Sequence, residues 1–134
     1  MKKLLFILAL ALISTSVMAE WAQVGKNDEM GIDNYIDFTT IRKTGDIVKM
    51  WSLNDSKAAI DVSIGQNITG VMSIKSQDEY DCKEERSRNL AFIMFTGNMG
   101  RGKPIPNNLD ISQWSPISPG STSEAMWKIA CDKQ

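Results

Sequence analysis

The chain has 134 residues, a formal net charge of −1, two cysteines and no histidine. That length makes one domain, and 43% apolar with 23% charged residues is globular composition, not disorder or coiled coil. Without histidine, Ser-His-Asp and Cys-His catalysis, the usual catalytic zinc sites and a histidine pH switch are excluded.

The first nineteen residues read as an export signal. Lys2 and Lys3 form a positive start, Leu4 to Ile13 is an unbroken apolar run, and Val17 and Ala19 supply small residues before a cleavage point after Ala19. Ten apolar residues rise about 15 Å as a helix, half of the ~30 Å hydrocarbon core, so a membrane anchor fits less well. Cleavage leaves residues 20–134, with 13 basic and 16 acidic side chains and a formal charge of −3. No cysteine stands near the junction to accept a lipid, and no later apolar run approaches membrane-spanning length. The expected location is the periplasm or cell surface of a Gram-negative bacterium.

The exported part reads mainly in period two. Trp21 to Gly25 is a short first strand, and Lys26 to Gly31 is a polar loop. Tyr35–Ile41 and Ile47–Leu53, joined through Lys43-Thr44-Gly45-Asp46, form the clearest hairpin. Its second arm sets Ile47, Lys49, Trp51 and Leu53 on one face and Val48, Met50 and Ser52 on the other, and Trp51 is expected in the core. Asp55 to Thr69 is ambiguous. Gly70 to Cys82 extends as a long strand, with Met72, Ile74, Ser76, Asp78, Tyr80 and Cys82 on the buried parity.

Asn89 to Gly97 is apolar on both parities, so both of its faces need cover. Either the loop carrying all four prolines, Pro104 to Pro119, folds over the outer face with Leu109, Ile111 and Trp114, or a second copy of the chain does so as a homodimer. A C-terminal helix follows. Ser121 is its N-cap and Glu124 completes a capping box, while Trp127, Ala130 and Cys131 share one stripe.

Cys82 and Cys131 are an even count in an exported chain, which argues for one intrachain disulfide closing a 49-residue loop. Two free thiols or an intermolecular bond are the alternatives. The bond would fasten the helix stripe onto the apolar face of the sheet.

Gly97 to Lys103 matches G-x-x-x-x-G-K, but Pro104 stands where a phosphate loop needs a hydroxyl for Mg²⁺, so the segment reads as a glycine-rich turn. Arg42-Lys43 and Arg101-Gly102-Lys103 are short basic spots in an acidic protein, not a nucleic-acid footprint. Trp114, Arg101 and Lys103 are the candidate contacts for a protein partner. Asn54-Asp55-Ser56 and Asn67-Ile68-Thr69 match the glycosylation pattern by chance in a bacterial chain. No spacing selects a catalytic pair, a metal site or a cofactor.

Trp21 to Gly25, Tyr35 to Lys43, Val48 to Asp55, Glu79 to Cys82, Gly97 to Gly100, and Trp114 through Pro119-Gly120-Ser121 to Cys131 together resemble the surface-adhesin protein E family of small exported bacterial proteins. The resemblance implies an α+β domain over residues 20–134. Its core is a single antiparallel sheet of about six strands, with a C-terminal helix on the concave face tethered by the disulfide. It also implies a non-catalytic protein that binds host extracellular-matrix proteins and epithelial cells. The alternative is a soluble periplasmic protein that binds a small molecule or assists the envelope. An open polar face with aromatic anchors would favour the first, and an apolar pocket between sheet and helix the second.

Overall fold

A computed structural model describes residues 19–63 and 65–133. The signal-peptide assignment, Ala19 apart, lies outside them. The chain folds as one antiparallel sheet in the order β1-β2-β3-β4-β5-β6, with β7 also on β5. The strands are β1 (Trp21–Asn27), β2 (Ile32–Thr44), β3 (Ile47–Ser63), β4 (Asn67–Asp81), β5 (Arg86–Phe95), β6 (Pro104–Ile105) and β7 (Ser115–Pro116), followed by helix α1 (Thr122–Ala130). Every long strand pairs with its sequence neighbour, so short turns alone build the sheet.

The β2–β3 hairpin forms as the sequence indicates, with Thr44 opposite Ile47. Gly45, at φ +60°, takes the first central position, where a type II′ turn needs a positive φ. The ambiguous Asp55–Thr69 stretch is mostly strand. β3 runs on to Ser63, and the register slips between Asp55 and Ile60, where four β3 residues face one of β4. That irregularity breaks the alternation on which a reading by period depends.

Direct cross-strand partners share a face. Val48 faces Tyr80, Met50 faces Asp78, and Ser52 faces both Ile36 and Ser76. Helix α1 lies on this face, where Ile36, Met50, Tyr80, Met126 and Trp127 form the main core. A second cluster of Ile68, Val71 and Met94 gathers Phe92, Ile105 and Leu109 around it. Ile74, Ser76, Asp78 and Tyr80 do face the helix side in register, but of the expected buried parity only Tyr80 is buried. Met72, Ile74, Ser76, Asp78 and Cys82 are half-buried. Val71 and Ser73 of the other parity are buried instead, because the register slip and the turn at Gly97–Gly100 cover that end of β4. Trp51 does not join the core. It faces Asp37 and Gln77 on the opposite side of the sheet, because the helix covers the Val48/Met50 parity.

The helix is held as its sequence suggests, with one difference. Cys82 and Cys131 are bonded, their Cα atoms 5.5 Å apart, and Trp127 Nε1–H donates to the Asp81 carbonyl at 2.9 Å. Ser121 Oγ accepts the Glu124 N–H at 3.1 Å. The return half of the capping box is absent: the Ser121 N–H donates to Ser118 O instead, and the Glu124 carboxylate reaches Lys128 at 3.4 Å.

The proline-rich segment forms a broken edge strand and covers in part: Leu109 packs on the cluster around Met94 and Trp114 lies over Arg86 and Arg88, while Ile111 stays exposed. β6 pairs with Met94 and Phe95, and β7 with Arg86 and Ser87. Proline suits that edge, since its missing N–H takes nothing from the ladder. Met94 and Phe95 are buried within the single chain, and Leu90 remains 41% exposed. The glycine-rich turn closes on itself through Gly97 N–H to Arg101 O and Thr96 N–H to Lys103 O.

Candidate functional site

The sheet face opposite α1 is built from neighbouring rows of residues. One row runs Arg42, Lys49, Glu79 and Arg88, and the next runs Trp21, Asp37, Trp51, Gln77 and Ala91. A third holds Tyr35, Leu53, Lys75 and Ile93. Aromatic rings therefore alternate with charges across five strands, since the pleat sends every second residue of each strand to this side.

The charges are organised. Arg88 pairs with Glu79 and Arg86 with Asp81, each at 3.0 Å. Both guanidinium carbons lie 4.7 Å from the centroid of the Trp114 ring, which anchors the end of the proline-rich segment on this face. Arg88 Nε is buried without a hydrogen-bond partner among the described residues. Asp81 is nearly inaccessible. The Glu84 N–H, the Arg86 side chain and the Lys83 N–H hold its carboxyl below the ordinary carboxylate value. At the other side of the face, the Lys75 ammonium lies 5.8 Å from the Trp21 ring and 5.9 Å from Phe95.

Between these two clusters an open groove of about 490 Å³ passes Asp37, Thr40, Arg42, Lys49, Trp51 and Gln77. Asp37 is buried at its edge, accepting the Thr39 N–H at 3.0 Å and the Glu20 N–H at 3.2 Å. Broad, shallow and lined by both signs of charge with indole rings, this face suits contact with another macromolecule more than enclosure of a small one.

The sequence-predicted residues are divided by this geometry. Trp114 is on the face, beside Ser115, which pairs with Ser87. Arg101 and Lys103 are exposed in the turn beyond Phe95, at the far end of β5, roughly 27 Å along the strand at ~3.4 Å per residue. Sequence reasoning missed Trp51, Lys49 and Lys75. A signal existed: a parity that carries Lys49 beside Trp51 makes a poorer core face than the uncharged Val48, Met50 and Ser52. Among the described residues no helix is long and apolar enough to cross a membrane.

No curated protein sequence matches the chain. Solved structures of Haemophilus influenzae protein E share its fold. Crystal form II superposes with a TM-score of 0.64 at 16% identity, covering 88% of this chain and 91% of that one. The protein from non-typeable Haemophilus influenzae gives a TM-score of 0.62 at 16% identity, over 88% and 79% of the two chains. The family profile described as surface-adhesin protein E matches residues 21–132. That span takes in every strand and the helix, and the chain belongs to the surface-adhesin protein E family.

Proposed function

We propose that this chain is an exported envelope protein that acts without catalysis, as an adhesin whose open sheet face binds a protein partner. The partner is a host extracellular-matrix protein or a protein of the epithelial cell surface. The observation that carries this reading is the face itself, where Trp21, Trp51 and Trp114 stand among Arg42, Lys49, Arg86 and Arg88 around an open groove. Tryptophan and arginine are the side chains that concentrate binding energy at protein interfaces.

Export with cleavage after Ala19 belongs to the same proposal, and one contact supports it. Ala19 lies at the edge of the groove, and the backbone nitrogen of Glu20 is 3.2 Å from Asp37 Oδ2. Cleavage would turn that amide into an α-ammonium beside a buried carboxylate, a charge-assisted hydrogen bond that docks the new N-terminus on the face.

The test is to express the full chain in a Gram-negative cell, sequence the N-terminus of the exported product, and measure its adherence to immobilised matrix proteins and epithelial cells. The expected result is a product that begins at Glu20 and binds saturably. A product that keeps residues 1–19, or one that binds neither surface, would contradict the proposal.

A further inference from the structure

On the other side of the sheet, between the first turn of α1 and strands β3 to β5, lies a cleft of about 190 Å³. Its walls are Ser52, Asn54, Ser76, Asp78, Tyr80 and Ser87, with Thr122 and Ser123 from the helix and Met126 below them. The sheet residues form one continuous patch, because Ser52 is the cross-strand partner of Ser76, and Tyr80 of Ser87.

This patch is out of keeping with its surroundings. It adjoins the main core, to which its own Tyr80 and Met126 belong, yet its other lining positions are polar. Tyr80 is 4% and Ser52 8% exposed, and neither hydroxyl has a hydrogen-bond partner among the described residues. Both line the cleft. The Asp78 carboxylate has the Asn89 amide at 3.0 Å as its side-chain partner, and burial raises its pKa. Burial likewise holds the Tyr80 hydroxyl protonated, a permanent donor. Hydroxyls without protein partners that open into a cleft take their hydrogen bonds from water or from a ligand, and polar departures from an apolar pattern concentrate at functional sites.

From this cleft we infer a binding site for one small, uncharged polyhydroxylated molecule, such as a single sugar ring. The Asp78 carboxylate opposes an anion, and no lysine or arginine lines the cleft to offset it. The positive end of the helix at Thr122 and Ser123 opposes a cation. What remains is a dense set of neutral donors and acceptors with one carboxylate to accept from hydroxyls and the Met126 side chain as an apolar wall. The volume equals about six water molecules at ~30 Å³ each, the scale of one ring and not of a chain. The site lies on the opposite face from the proposed adhesive surface and stands or falls separately from it.

Titration of the isotope-labelled exported chain with D-glucose, D-galactose and N-acetylglucosamine, followed by amide chemical shifts, tests the inference. Saturable shifts at Ser52, Ser76, Asp78 and Ser123 are expected for at least one sugar in the millimolar range. Asp78→Asn should weaken that binding about tenfold or more, and Lys49→Ala, on the open face, should leave it unchanged. If Asp78→Asn does not fold, Ser76→Val, which fills the cleft, should give the same loss. Three results would each overturn the site: no saturable shift with any of the sugars, the mark of a merely hydrated cleft; glycine or ammonium binding there instead; or sugar binding that survives both variants.

Discussion

Asp81 shows how much one side chain organises. Its carboxylate accepts the Lys83 N–H at 3.1 Å and the Glu84 N–H at 3.0 Å and pairs with Arg86, while its carbonyl receives the Trp127 indole. The Glu84 N–H first, then the Arg86 side chain, depress its pKa below the ordinary 3.8. In acid the unfolded chain therefore binds the proton more readily than the native one. The stability that this carboxylate supplies is complete above 3.8 and is lost as pH falls through the lower native value. The urea midpoint of Asp81→Asn should lie below that of the natural protein at neutral pH, and the gap should narrow in acid. A gap that does not change with pH would contradict this.

Residues were legible where their chemistry is local. The cysteine pair follows from count and compartment, and the Ser121 cap from its place before an amphipathic stretch. Trp51 was legible only faintly, through Lys49 on its parity, because β3 carries large apolar residues on both parities and the helix, which packs on the other one, decides between them. Asp81 was hidden in a run of charges whose turn geometry no pattern announces.

At the scale of elements, α1 is the piece least able to stand alone. Nine residues of helix are marginal in water, so its position rests on Met126 and Trp127 in the core and on the disulfide. Closing a loop of 49 residues is worth about 4 kcal/mol in the chain-entropy account. Replacing both cysteines with serine should lower unfolding stability by about 2–5 kcal/mol. Amide exchange in α1 should rise well before that in β3 and β4. Equal protection of helix and sheet in the variant would show that core packing alone holds the helix.

The 97–103 turn is a second such element. Gly102 has φ +81°, and a Cβ there would come within 2.6 Å of Thr96 Oγ1 and 2.9 Å of Gly97 N. Gly102→Ala should cost more than about 1 kcal/mol in stability, and an unchanged midpoint of unfolding would refute the tightness of this turn. The turn itself was readable from its glycines. The long β3–β4 pairing was not, because the register slip at Asp55–Ile60 depends on contacts distant in sequence.

For the whole molecule, the sheet has two unlike sides. One carries the helix, the disulfide and the main core, and the other carries rings and charges around an open groove. The broken strand β6/β7 joins the two, since Leu109 packs on the helix side while Trp114 rests on the arginines of the other. Family resemblance and strand pattern together made the sheet, the helix and the tether legible. The location of the open face was not, because it depends on which side the helix takes.

The central claim is that the open face makes the adhesive contact. It is tested most directly by comparing two variants in binding to a matrix protein that the natural chain recognises. Trp51→Ala removes a ring from the groove, whereas Lys133→Glu changes an exposed charge just beyond the helix. The account predicts that Trp51→Ala weakens binding about thirtyfold, the loss of an interface hot spot of ~2 kcal/mol, with Lys133→Glu unchanged. Undiminished binding by a folded Trp51→Ala variant, or loss of binding on Lys133→Glu alone, would contradict it.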